Sequence, residues 1–261
     1  MANEVVNVAG PGRWRTSWKR VVLVLLSTFV GLWLLLLVVA HVSMWNLARG
    51  FARDNPIVAM TPQPLKDTTV ADLKGGVIIH CFGYSVQVPW TKTKVVRDWK
   101  DMSFRSFDDG PTVVLEDHPT DILTSPAGEE ASTRKAWGSL LGDHATRSHY
   151  DYAAVELNTR PSDVSFFHSR HANFRDYMLL VMKSVEIPHD SSAIYSIAAG
   201  QFRGFQFGDP QKLPSSVELL LFDGHDRALK LTLRGPKDGT RPALTQEQIN
   251  GIVASIKPAA Q

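Results

Sequence analysis

Two histidines three residues apart, His168 and His171 in the stretch FFHSRHANF, are the first residues whose spacing points to chemistry. On a helix, positions i and i+3 are neighbours, so two imidazoles there make half of a metal site. The surroundings argue against a bound cation: Arg170 and Arg175 add positive charge, and no carboxylate stands at 164, 172 or 175. A metal reading therefore needs His144, His149 or His189 from elsewhere in the chain. His80 and Cys81 resemble an imidazole–thiol pair only on paper. On a strand, adjacent side chains point to opposite faces, so Cys81 reads as a buried, inert thiol. Ser139, Ser148 and Ser196 lack the Gly-x-Ser-x-Gly setting of a serine nucleophile, and no glycine-rich phosphate loop is present. Asp108, Asp109, Glu116, Asp117, His118 and Asp121 offer oxygen ligands without calcium-loop spacing, and turn chemistry accounts for them.

The stretch QFRGFQFGDPQ carries the ligand-binding candidates Phe202, Arg203, Gly204 and Phe205. A glycine lets another backbone approach closely, an arginine presents a planar cation, and the phenylalanines supply apolar area. The competing reading is a bent core strand with its phenylalanines inward. Trp90, Trp99 and Trp137 divide in the same way, between core anchors and an aromatic pocket. No catalytic residue, metal or cofactor is expected, with His168 and His171 as the alternative metal pair.

The elements that must position these residues begin with an uncharged run, residues 21–40. Twenty residues at 1.5 Å rise reach roughly 30 Å, the thickness of a bilayer's hydrocarbon core. Trp14, Trp18 and Trp45 flank the run, where amphipathic rings favour headgroups. Arg13, Arg15, Lys19 and Arg20 precede it, against Arg49 and Arg53 after it, so the N-terminus is expected in the cytoplasm of a bacterial cell. A cleaved signal peptide is the rival, but the run exceeds the usual apolar region of roughly 7–15 residues. The expected layout is a cytoplasmic tail (1–20), a transmembrane helix (21–40) and an irregular stalk (41–74). One extracytoplasmic domain follows (75–258), placed in the periplasm or outside the cell.

The chain's net charge of +2 comes from the cations around the apolar run, which excludes the basic stripe of a nucleic-acid binder. The single cysteine excludes an internal disulfide. GVIIHCFGYSVQVPW reads as one strand, with Ile78, Phe82, Tyr84, Val86 and Val88 on one face. SFRSF and TVVLE form a hairpin, as do SVELLLF and RALKLTLR, and AIYSIAAGQFRGFQF reads as a long bent strand. Residues 131–142 read as a helix with Trp137, Leu140 and Leu141 as its apolar patch. A second helix runs from the cap Ser162 to before Pro188; Val164, Phe167, His171, Phe174, Met178, Val181 and Val185 are its core-facing stripe. Thr245 and Gln248 form a capping box for a closing helix. These elements give an α+β domain with a mainly antiparallel sheet packed by helices.

GYSVQVPW opening the domain, the later FRGFQF and VELLLFDGHDRALKLTLRG, and the closing TQEQINGIVASIK together resemble the PsbP/Mog1-like α/β/α sandwich. The resemblance covers most of residues 76–257 and includes no catalytic motif. It implies a binding or assembly module, of the membrane-anchored bacterial kind, and carries no site residue across. The functional expectation is a single-pass inner-membrane protein, held in the bilayer by residues 21–40. Its non-catalytic domain would bind a protein or small ligand. The alternative is an extracytoplasmic hydrolase or metal-dependent enzyme built on the histidine-rich middle third.

Overall fold

A computed structural model describes residues 12–117, 148–165, 167–211, 216–235 and 244–259. The expected helix at 131–142, with Trp137, lies outside the described residues, as do His118, Asp121 and His144. Helix α1 spans Gly12–Asp54. Its segment Arg20–Asp54 has a mean hydropathy of 2.9 over its most apolar window and is long and apolar enough to cross a membrane. The hydroxyls of Ser27 and Thr28 donate back to the Val24 carbonyl at 2.9 and 2.8 Å, so neither leaves an open polar group on the apolar run.

The expected irregular stalk starts later than the sequence suggested, because α1 continues through residues 41–54. Ala48, Phe51 and Ala52 recur at helical spacing and pack into the domain, and Phe51 meets Tyr177 edge-on with ring centroids 6.0 Å apart. Asn55 ends the helix, its backbone N–H donating to Phe51 O at 2.8 Å. A short 3-10 turn, Pro56–Ala59, buries Ile57 and Val58. The chain becomes extended only beyond it. The apolar run therefore enters the domain as one continuous helix.

The large sheet has eight strands: β1 (Gln63–Pro64), β4 (Thr93–Asp98), β5 (Met102–Phe107), β6 (Thr112–Asp117), β7 (Ile194–Ala199), β8 (Phe202–Phe207), β9 (Ser216–Phe222) and β10 (Ala228–Arg234). Their order is β1-β7-β8-β9-β10-β6-β5-β4, antiparallel throughout except for β1 beside β7. A three-stranded sheet holds β2 (Val77–Cys81), β3 (Tyr84–Val88) and β11 (Lys257–Pro258) in the order β11-β3-β2. Helices α2 (His149–Asn158), α3 (Arg170–Glu186) and α4 (Gln246–Ser255) complete the domain. This is the α+β architecture the sequence implies.

Two expected single strands are hairpins. In CFGY the turn is Phe82–Gly83, both at positive φ (51° and 77°), and Cys81 pairs with Tyr84. A phenylalanine in that region is unusual, so the turn carries no conventional signal. Tyr84, Val86 and Val88 on β3 face the core as expected, while Ile78 on β2 faces out. AIYSIAAGQFRGFQF likewise folds back at Gly200, φ 60°, pairing Ala199 with Phe202.

Each face of the large sheet has its own core. One packs Leu219, Leu221, Leu229, Leu231 and Leu233 against the small sheet and α4. The other packs Phe205, Phe207, Leu220 and Phe222 against Ala48, Leu157 and Leu180 of the helical layer. The β9–β10 turn joins both layers. Asp223 accepts the Tyr84 hydroxyl at 2.6 Å, Arg227 forks onto Asp117 at 2.9 Å, and Asp226 accepts the backbone N–H groups of His149 and Tyr150 at the start of α2.

Candidate functional site

The four expected ligand contacts of β8 are distributed over both cores. Phe202 is buried toward α4 and the small sheet, and Phe205 is buried under Tyr150, stacked at 5.5 Å. At Gly204 the backbone of β9 lies close against β8: a Cβ there would lie 2.0 Å from the Leu220 carbonyl oxygen. The close backbone approach inferred from the glycine is thus made by the neighbouring strand. Arg203 alone reaches the surface, its guanidinium 4.0 Å from the centre of the Tyr150 ring.

The described histidines are dispersed. His168 Nδ1 lies 2.8 Å from the Asp163 carbonyl oxygen, and His171 and His189 are exposed. His149 sits at the start of α2 with Nδ1 3.0 Å from the Asp226 carbonyl oxygen. Among the described residues no group of three His, Cys, Asp or Glu side chains is placed to hold a metal ion. Cys81 is half-buried, and burial pushes its thiol up to about 11, away from the reactive thiolate.

Helix α3 departs most from its sequence pattern. Ser169, not Ser162, caps it: the Ser169 hydroxyl accepts from Ala172 N–H at 3.2 Å. Residues 161–163 form a separate 3-10 turn. The Asn173 side chain bonds both the N–H and the C=O of Ser165, at 2.9 and 2.8 Å, which anchors the segment before the cap to the first turn of the helix. The expected core-facing stripe is turned outward. Val164 alone of it is fully buried; Phe167 is 91 % exposed, Phe174 48 % and Val185 72 %, with Met178 and Val181 half-buried beside them.

The buried face of α3 carries Asn173, Asp176, Lys183 and Glu186 among Leu179, Leu180 and Met182. Lys183 is 0 % exposed, and its ammonium donates to the carbonyl oxygens of Met60 and, at 2.9 Å, Thr159. Burial draws its pKa down to about 8, against the pull of Glu156 and Asp163. One side chain thereby ties α3 to the C-cap of α2 and to the chain leaving α1.

A second feature is a groove of about 410 Å³ between β7 and α4, walled by Leu65, Val70, Ala198 and Val253. Behind it, the side-chain amides of Gln206 and Gln246 bond each other in both directions, at 2.8 and 2.9 Å. Gln246 also donates to Asn250 at 3.0 Å, and Asn250 donates to the carbonyls of Asp67 and Thr69. Sequence reasoning missed this groove, because its walls come from residues far apart in the chain. The only local signal is the i, i+4 spacing of Gln246 and Asn250 on α4.

No protein-family model matches the chain, and no curated protein matches it.

Proposed function

We propose that the chain is a single-pass bacterial inner-membrane protein whose extracytoplasmic domain is a non-catalytic binding and assembly module. The observation that carries this reading is the outward stripe of α3. Phe174, Met178, Val181 and Val185 form an apolar face that the described residues leave exposed or half-exposed, on a helix packed directly against α1. Exposed apolar faces of this kind mark interaction sites. α1 runs unbroken from the apolar segment into the domain, so the stripe is presented in a fixed orientation to the anchor. The dispersal of the described histidines and the raised Cys81 thiol favour binding over the hydrolase or metal-enzyme alternative. The layering of helices, large sheet, and small sheet with α4 is compatible with the PsbP/Mog1-like assignment, which belongs to the same proposal.

Replacing both Phe174 and Val185 with aspartate tests the reading. Both side chains are exposed, so folding stability should change by less than about 1 kcal/mol. Membranes solubilised in mild detergent should show the wild-type chain above monomer size on a native gel and the double variant at monomer size. Equal migration of the two would contradict the proposal. For the orientation, alkaline phosphatase fused after the last residue should be active in a bacterial host. An inactive fusion that is present at full length would place the domain in the cytoplasm instead.

A further inference from the structure

We infer that the groove between β7 and α4 is a peptide-binding site that takes an extended segment of another polypeptide as an added strand beside Ala198. The ladder itself shows how the backbone is disposed. Gly208 N–H donates to Ala193 C=O at 2.9 Å, so the odd-numbered residues of β7 bond to β8. The N–H and C=O groups of Ile194, Ser196 and Ala198 therefore point away from β8. β1 pairs with this edge only as far as Pro64–Ser196, and its last bond runs from Leu65 N–H to Ser196 C=O at 3.3 Å.

Beyond that bond the chain is drawn off toward α4. Asn250 holds the carbonyls of Asp67 and Thr69 at 2.9 and 2.8 Å, and Ala71 N–H donates to Glu247 C=O at 3.0 Å. The segment that would have covered Ala198 is thus pinned on the opposite wall. What remains is half an edge, already used by one strand of this chain and open along the groove at an exposed alanine.

The occupant follows from which polar groups are available. The side-chain amides at the groove are engaged with one another and with the pinned segment, so they offer little to a charged headgroup or a sugar. The donor and acceptor turned to the groove are those of a backbone, and a backbone is their complement. Along a strand, alternate side chains fall on one side, so one side chain of the guest would enter the space between Leu65, Val70 and Val253. An apolar residue there matches those walls. This site is separate from the stripe on α3 and does not depend on it.

The test uses the full chain in nanodiscs as the target for a displayed library of random heptapeptides. The same chain carrying Val70→Trp serves as the counter-target, since Val70 is exposed and a tryptophan there would fill the groove from its solvent side. Peptides enriched on the wild type should lose at least tenfold in affinity for Val70→Trp and for Ala198→Pro, which removes the N–H at the edge. They should lose as much again when one internal backbone nitrogen of the peptide is methylated. An unchanged melting temperature in both variants shows that the fold is intact. Failure to enrich any peptide over the counter-target would overturn the inference. So would enriched peptides that tolerate N-methylation at every position. Native-gel size unaffected by Val70→Trp separates this result from the assembly face of α3.

Discussion

Replacing Lys183 with methionine is expected to lower the stability of the domain by about 4 kcal/mol, the range for removing a buried, hydrogen-bonded charge. Methionine fills most of the space of the aliphatic stem, so the loss would come from the hydrogen bonds of the side-chain nitrogen, which it donates in either protonation state. Without it, the carbonyls of Met60 and Thr159 lose their donor, and Glu156 loses a nearby positive charge. The pH dependence gives a second readout. The folded chain holds the Lys183 proton less tightly than the unfolded chain, about 8 against an ordinary value of 10.5. Between these values the unfolded state binds more protons, so this residue's contribution makes stability rise with pH across that window. Burial raises Cys81 and Tyr84 to about 11 and 12, and these groups act in the opposite sense at higher pH. The informative quantity is therefore the difference between wild type and Lys183→Met, measured by denaturant unfolding in micelles from pH 7 to 10.5. That difference should shift steadily in favour of the wild type as pH rises. A loss under 1 kcal/mol with no pH trend would show that the lysine is not held as described.

Gly204→Ala should be more damaging still. The added methyl would sit 2.0 Å from the Leu220 carbonyl oxygen, a backbone atom in the middle of the sheet that cannot turn aside. β8 would have to separate from β9, breaking a ladder that both cores rest on. A loss of more than about 4 kcal/mol is expected, seen as an insoluble or unfolded domain. Gly224→Ala is the control, because nothing lies within 4 Å of its added Cβ. A folded Gly204→Ala domain with near-normal melting would return this glycine to the ligand-contact role first considered for it.

These two positions also show what the sequence reveals and what it hides. The apolar run, the hairpins β5–β6 and β9–β10 and the capping box of α4 are legible, because periodicity and turn residues are local signals. The turns at Phe82–Gly83 and Gly200–Gln201 are not, since one uses a phenylalanine at positive φ and the other interrupts a run of strand-forming residues. Gly204 is legible as a close approach but not as to what approaches. Helix α3 misleads for a more general reason. A helical apolar stripe predicts burial only if the opposite face finds no polar partners, and here Asn173 and Lys183 find theirs in Ser165, Met60 and Thr159. Met60 and Thr159 come from other parts of the chain, and the Ser165 backbone has no side-chain signature, so no local pattern announces them. The groove at Ala198 is hidden in the same way, since it exists only once Asn250 draws residues 67–69 off the edge of β7.

The central claim, that a partner present in native membranes covers the outward face of α3, can be read directly by thiol accessibility. In a Cys81→Ala background, Phe174→Cys and Val185→Cys would each be treated with a membrane-impermeant maleimide in native membranes opened to both sides. The same treatment would follow detergent purification. Ile78→Cys, on an exposed position of β2 far along the chain, serves as the reference. The two α3 positions should be at least fivefold slower to label in native membranes than after purification, while Ile78→Cys labels equally in both. Equal labelling of all three positions in native membranes and in purified protein would contradict the account.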